Sequence, residues 1–596
     1  LKFPRKFLIV FSVAFVSSFA GAIERDAFTF TNYTLRVQLD AAQHGFAATG
    51  TVTLRNDSQK PQKNVVLQIS SGLQWNAITS GHKKVAYVTH PYSSDVDHTG
   101  VLSEAVVTLP QPLARGASVD FEISYGGAIA LDTTRLEQMG TPKAVAAAND
   151  WDRVSPDFIG LRGIGYVAWY PISLDDLSLS DGQEYSAALA AWRERHAQTK
   201  FVLQVHAAQN ETALFNGGHA EVTANADATF PEAEIGENVP TLIVAPYMST
   251  GFEQSGTRDV LYYSAADKGR ETDYQQVAEA AAAALRQSFG MSGSATLVEL
   301  PEGNDAPFET GNVLLAPFIT SDTRESELII IHEFARAMLM GPNPAAARHP
   351  WIYEGVAGYA QALLREREDG RDAAIAWMAL QRDALIEEES QNKRLAALTA
   401  PAKPFSDAST SLLAGTDEVL YRTKAMYVWW MLHEMLGEGT VARAIQKYKS
   451  GDDARADYMQ RLLEQQAQTD HVVSKMPLEQ FFDDWVYRDR GLPDFTIAST
   501  YARKILAAAG GDNYLVTVTV KNLGDAGAEI PVTVICGVTE RVTRRIAVPA
   551  RGEASVRIPT VSAPDRAIVN DGSVPESDMG NNSELIQVTP GAPSSP

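Results

Sequence analysis

The sequence predicts an α+β multidomain protein, and three observations predict it. Residues 30–127 alternate apolar and polar side chains in short runs, residues 273–487 carry apolar stripes at helical spacing, and the alternation returns beyond Phe495. At 596 residues the chain is too long for one core, and chains of that length divide into several domains. The expected divisions are a leader at 1–22, an N-terminal antiparallel β domain at 23–240, an α-rich domain at 241–496, a C-terminal β-sandwich at 497–588 and a disordered tail at 589–596.

The leader rests on Lys2, Arg5 and Lys6 followed by an apolar run at 7–16 and the small residues Ala20, Gly21 and Ala22, the order of a secretory signal. It implies an exported protein, periplasmic or extracellular. No later stretch approaches the roughly 20 apolar residues a spanning helix needs, so an integral membrane protein is not expected. The formal charge is −22, and removing the three leader cations takes it to −25. Such a surface argues against nucleic acid or anionic lipid as partner. Cys536 is the sole cysteine, which excludes an internal disulfide. The sequence specifies no oligomeric state.

The N-terminal strands are read at 33–39, 50–54, 64–69, 118–125 and 201–206, each of period two and bounded by turn residues. Strands at 240–245 and 260–264 introduce the middle region, followed by helices at 273–289, 371–389, 418–437, 441–449 and 478–487. Strands at 514–524 and 530–534 form the last region.

One stretch in the middle region carries chemistry. Residues 322–342 run from a capping box, Asp322 with Glu325, to a stop at Gly341 and Pro342. The stretch between is apolar on nearly every face, so the helix is buried. His332, Glu333 and Arg336 therefore need partners, because an unpaired interior charge is costly. In H-E-x-x-H the two histidines, at i and i+4, share a helix face and aim at one zinc, while the glutamate takes a proton from bound water. Here Arg336 stands at the second ligand position, and a guanidinium has no lone pair to offer a metal.

His332 and Glu333, with Trp351-Ile-Tyr-Glu354-Gly355-Val-Ala-Gly-Tyr359 downstream, resemble the gluzincin aminopeptidases of the aminopeptidase N family. That family carries H-E-x-x-H, eighteen residues and then a glutamate in a phrase like W-L-N-E-G-F-A-S-Y. Here seventeen residues separate Arg336 from Glu354. The resemblance extends to Trp169-Tyr170-Pro171, to Tyr421-Arg-Thr-Lys424 (similar to the family's Y-x-K-G with one residue inserted), and to Phe481-Phe-Asp-Asp-Trp485 with Gly491-Leu-Pro493. It implies an N-terminal β saddle and a thermolysin-like α-rich catalytic domain. It further implies Glu333 as general base, His332 and Glu354 as zinc ligands, and Tyr421 as the hydroxyl facing the tetrahedral intermediate. Glu309 stands where the family's G-A-M-E-N strand anchors the substrate amine, although that motif is absent, and a solvated strand end is the plainer reading. His349 is the nearby histidine that could replace the missing ligand.

The C-terminal region resembles bacterial adhesion-related β-sandwich modules that end in an E-x-D/E-x-N-N turn. Its Asp571, Glu576 and Asp578 are candidate calcium ligands, although such turns usually serve backbone geometry alone. Two functions stay open on these residues. One is a zinc-dependent peptidase of the aminopeptidase type. The other is a catalytically silent relative that binds peptides or proteins in the same cleft, with Arg336 paired to Glu333 or Glu354 in place of the metal.

Overall fold

The computed structural model describes residues 23–589 apart from 181, 208–210, 217, 223–226, 236–238, 255–256, 291–294, 302, 305, 311–312, 319–322, 341–348, 400–410, 414–418, 454, 489 and 507–511. The leader, the Asp322 cap, the stop at Gly341 and Pro342 and the tail beyond Thr589 lie outside the described residues.

The alternating runs of the first region become strands because every second side chain reaches one shared core. Phe28–Asp40 pairs antiparallel with Gly45–Asn56, and that strand with Ser118–Ala128, inside a seven-stranded sheet. Phe30, Tyr33, Leu35 and Val37 from the first strand meet Val65, Leu67 and Ile69 of a three-stranded sheet in the same buried cluster. A purely antiparallel region, the expectation, needs one correction. Phe28–Asp40 also pairs parallel with Lys200–His206, placing Tyr33 opposite Phe201. Parallel neighbours require a long crossover, and this one contains the helix Gly182–His196. Alternation gives no hint of that helix, whose buried anchors include Leu189 and Trp192.

A five-stranded sheet opens the middle region, with Phe308–Thr310 at its edge, antiparallel to Val313–Ala316. A small cluster joins it to the first region: Trp151 and Phe158 pack with Phe308, Val313 and Leu315, and Trp151 Nε1 donates to the Ala306 carbonyl at 3.1 Å. Helices follow, among them Glu271–Phe289, Thr323–Met340, Pro350–Asp369 and Ala425–Leu436. The single helix expected at 371–389 is two, Arg371–Ala379 and Arg382–Thr399, with an exposed Leu380 at the break.

Two four-stranded sheets form the last region, and Val588–Thr589 still pairs with Ala502 and Arg503. Thr589, assigned to the tail from sequence, is therefore in a strand. Phe481, Phe482 and Trp485 belong to one buried cluster with Val516, Val518 and Ile530 of the sheets. Trp485 Nε1 donates to the Gly527 carbonyl at 2.8 Å, while the Gly527 N–H donates to Asp484 at 3.0 Å. The Phe-Phe-Asp-Asp-Trp phrase thus fastens helices to sandwich. No helix among the described residues is long and apolar enough to cross a membrane.

Candidate functional site

Helix Thr323–Met340 is held by Ile330, Ile331, Phe334 and Ala335, all buried in the main core. This clamps the backbone on which His332, Glu333 and Arg336 ride. Helix Pro350–Asp369 packs against it, and the approach of a third helix depends on two glycines. A Cβ on Gly355 would lie 2.7 Å from Trp429 Cδ1 and 2.8 Å from Ala425 Cβ, and one on Gly358 would lie 3.1 Å from Met426 Cβ. Trp429 Nε1 donates to the Trp351 carbonyl at 3.1 Å across the same contact. Glu354 is thereby fixed between helices, only 3 % exposed.

A π-helical segment, Val419–Lys424, leads into helix Ala425–Leu436. An extra residue in a helix is absorbed by widening one turn from i→i+4 to i→i+5, and such bulges are frequent at functional sites. The Tyr421 to Lys424 phrase falls within this widened turn. Tyr421 lies in the widened segment, and its side chain is outside the described residues. Arg422 and Thr423 face the cleft.

The cleft has a volume of about 520 Å³ and is lined in part by Glu309, His332, Glu333, Glu354, Gln381 and Arg422. His332 Nδ1 is hydrogen-bonded to Glu333 Oε1 at 3.0 Å, and its Nε2 stands 3.5 Å from Glu354 Oε2. Burial pushes the imidazole down to about 4, against the pull of Glu354, so the ring is neutral at ordinary pH. Arg336 Nε lies 2.7 Å from Glu354 Oε1. Its N–H direction misses the oxygen, which makes this contact an ion pair and not a hydrogen bond. The same guanidinium pairs with Glu309, and its Cζ lies 5.8 Å from the centre of the Tyr353 ring. Arg422 Nε donates to Glu354 Oε2 at 3.2 Å. Burial alone would raise the Glu354 carboxyl, but Arg336 and then Arg422 outweigh it and hold it below the usual range. Among the described residues Glu333 Oε2 is buried without a hydrogen-bond partner.

This donor set does not fit a zinc ion. Zinc sites in proteins use three or four deprotonated donors. His332 and Glu354 are two, and both Glu354 oxygens carry a guanidinium. Among the described residues no group of three or more His, Cys, Asp or Glu side chains is arranged to hold a metal ion.

Other residues singled out in the sequence lie as follows. Glu309 sits inside the cleft, tied to Arg336, and is not the solvated strand end of the plainer reading. His349 is not brought to the cleft: it precedes helix Pro350–Asp369, and its Nδ1 is bonded at 2.9 Å to Asp453, which also accepts from Tyr448. The three C-terminal acids share no partner. Asp571 accepts from Arg371 at 2.6 Å and Asp578 from the Gly580 N–H at 2.7 Å, while Glu576 accepts from the Phe495 N–H and from the side-chain amides of Asn570 and Asn582. Sequence reasoning missed Arg422 and Gln381. Arg422 stands inside the quoted Tyr421 to Lys424 phrase, where a second cation beside Lys424 was the available signal. Gln381 lines the cleft from the break between Arg371–Ala379 and Arg382–Thr399.

The sequence matches no family model, and no curated protein matches it. Among solved structures the chain is similar to a crystal structure of an M1 zinc metallopeptidase from Deinococcus radiodurans, with 17% sequence identity and a TM-score of 0.46, over 77% of this chain and 94% of that one.

Proposed function

We propose that this protein is a divergent, catalytically silent relative of the aminopeptidase N family whose cleft receives a peptide or protein segment without zinc-dependent hydrolysis. One observation carries the reading: Glu354, which the sequence resemblance makes a metal ligand, is bound on both oxygens by guanidiniums. A metal cation arriving there would meet the repulsion of two fixed positive charges, whereas the guanidiniums beside three carboxylates are paired. The cleft itself, with Phe308, Ile329 and Met426 among its apolar lining and amides at Gln361 and Gln381, suits an extended polypeptide. The leader-like segment at 1–22 supports export, and the acidic composition supports a protein or peptide partner over nucleic acid.

Zinc-dependent peptide hydrolysis is the second reading, favoured by the 3.5 Å approach of His332 Nε2 to Glu354 Oε2 from adjacent helices. Elemental mass spectrometry of the purified protein, with a zinc titration by calorimetry and an assay on aminoacyl 4-nitroanilides, separates the two. The silent reading expects no stoichiometric zinc and no hydrolysis above buffer. One equivalent of tightly bound zinc with turnover would replace it by the second.

A further inference from the structure

Three carboxylates, Glu309, Glu333 and Glu354, line the cleft, and two guanidiniums answer them. Arg336 is shared between Glu309 and Glu354, and Arg422 is bound to Glu354. Among the described residues no arginine or lysine pairs with Glu333, whose neighbour is His332. One oxygen accepts from His332 Nδ1, and the other is buried with no hydrogen-bond partner among the described residues. A buried carboxylate oxygen left unmatched costs several kcal/mol until something donates to it, and this one belongs to a residue that lines a cleft of about 520 Å³.

We infer that Glu333 is a receptor for a cationic side chain, the guanidinium or ammonium of an arginine or lysine within a bound peptide. The inference rests on the peptide-binding reading of the cleft and gives it a ligand class. The position of the second glutamate decides which cation is meant. Glu309, on the edge strand Phe308–Thr310, is occupied by Arg336, so the strand offers no free carboxylate to a chain terminus. Recognition then falls on a side chain, and the peptide need not present a free amine. A guanidinium fits best, because a planar fork can donate to Glu333 Oε2 while its remaining N–H groups reach neutral acceptors. The side-chain oxygen of Gln361 is one such acceptor, its amide being turned to the Leu328 carbonyl at 2.9 Å.

The test uses the full chain and two acetylated, amidated hexapeptides that differ at one central residue, arginine in one and its uncharged isostere citrulline in the other. Fluorescence anisotropy should show the arginine peptide binding at least 10-fold tighter to the native protein, and Glu333→Gln should erase the difference. A thermal melt of the variant within a few degrees of the native one establishes that it is folded. Should the variant not fold, the peptide pair on native protein and the loss of its difference in high salt decide the matter. Equal binding of the two peptides, or binding only after the acetyl group is removed, overturns the inference and leaves the peptide cleft standing. Absence of binding by every peptide, the unblocked ones included, overturns the cleft reading as well.

Discussion

Glu354 in the cleft and Glu576 in the C-terminal turn are both almost wholly removed from water, 3 % and 0 % exposed, yet they are moved in opposite directions. Burial pushes the Glu576 carboxyl up to about 7, because its partners, the Phe495 N–H and two asparagine amides, are neutral. Two guanidiniums hold Glu354 below the usual range. Desolvation is common to both, so the partners set the outcome. A carboxylate fed by neutral donors makes a staple that closes the turn at Asn570 to Asn582 and ties it to Phe495. One fed by guanidiniums ties together the strand of Glu309, the helices of Arg336 and Glu354 and the π-helical segment of Arg422. The first arrangement closes one turn onto the start of strand Phe495–Leu506, while the second is charge balance spread over four elements, where one substitution disturbs them all.

The largest effect that would break this comparison is expected from Arg336→Ala. It leaves Glu309 without its cation and Glu354 with one, at a cost of about 4 kcal/mol, the scale for breaking a buried pair. Chemical denaturation should register it. Arg336→Met combined with Glu309→Gln and Glu354→Gln should recover part of the loss, since it removes both of Arg336's carboxylates along with it and leaves only the more exposed Arg422 without Glu354. If Arg336→Ala is neutral, the ionic account of the cleft is wrong.

Next come opposed pH dependences of about 3 kcal/mol each. Native His332 stays neutral down to about 4, whereas an unfolded histidine takes its proton near 6.5. The unfolded chain then binds more protons, so this contribution is present above 6.5 and lost as pH falls toward 4. Glu576 has a raised pKa, so its contribution is full below 4.5 and lost as pH rises through about 7. The two overlap and partly cancel in the native protein. Urea midpoints measured from pH 4 to 8 should rise more steeply with pH in Glu576→Gln and fall with pH in His332→Gln. Parallel profiles in the two variants would remove the contrast.

Arg336→His supplies a third donor and removes one of the two guanidiniums from Glu354. Zinc affinity should rise about 100-fold, or 2.7 kcal/mol, in a calorimetric titration. Tight zinc binding by the native protein and not by this variant would show that the guanidinium does not exclude the metal. The smallest effect is expected from Gly355→Ala, whose methyl would collide with Trp429 and Ala425. Overpacking of that kind costs about 2 kcal/mol. The variant should also weaken zinc binding when combined with Arg336→His, because it displaces the backbone that aims Glu354.

Much of this is legible in the chain itself. Period-two alternation and helical stripes are local signals, and they mark Ser118–Ala128 and Glu271–Phe289 to within a few residues, and the end of Phe28–Asp40 but not its start. The phrases holding His332, Glu354 and Phe481 to Trp485 stand out because charge and large aromatics are costly to bury without purpose. That Arg336 needs a carboxylate follows from its place in an apolar helix. Which carboxylate does not, because that depends on how neighbouring helices and a strand edge converge. Tertiary structure alone decided that Glu309 enters the cleft, that His349 turns to Asp453, and that Arg422 reaches Glu354 from a widened turn. Periodicity reports which face of a segment is buried, while charge pairing between segments is set by contacts across tens of residues, which periodicity does not encode.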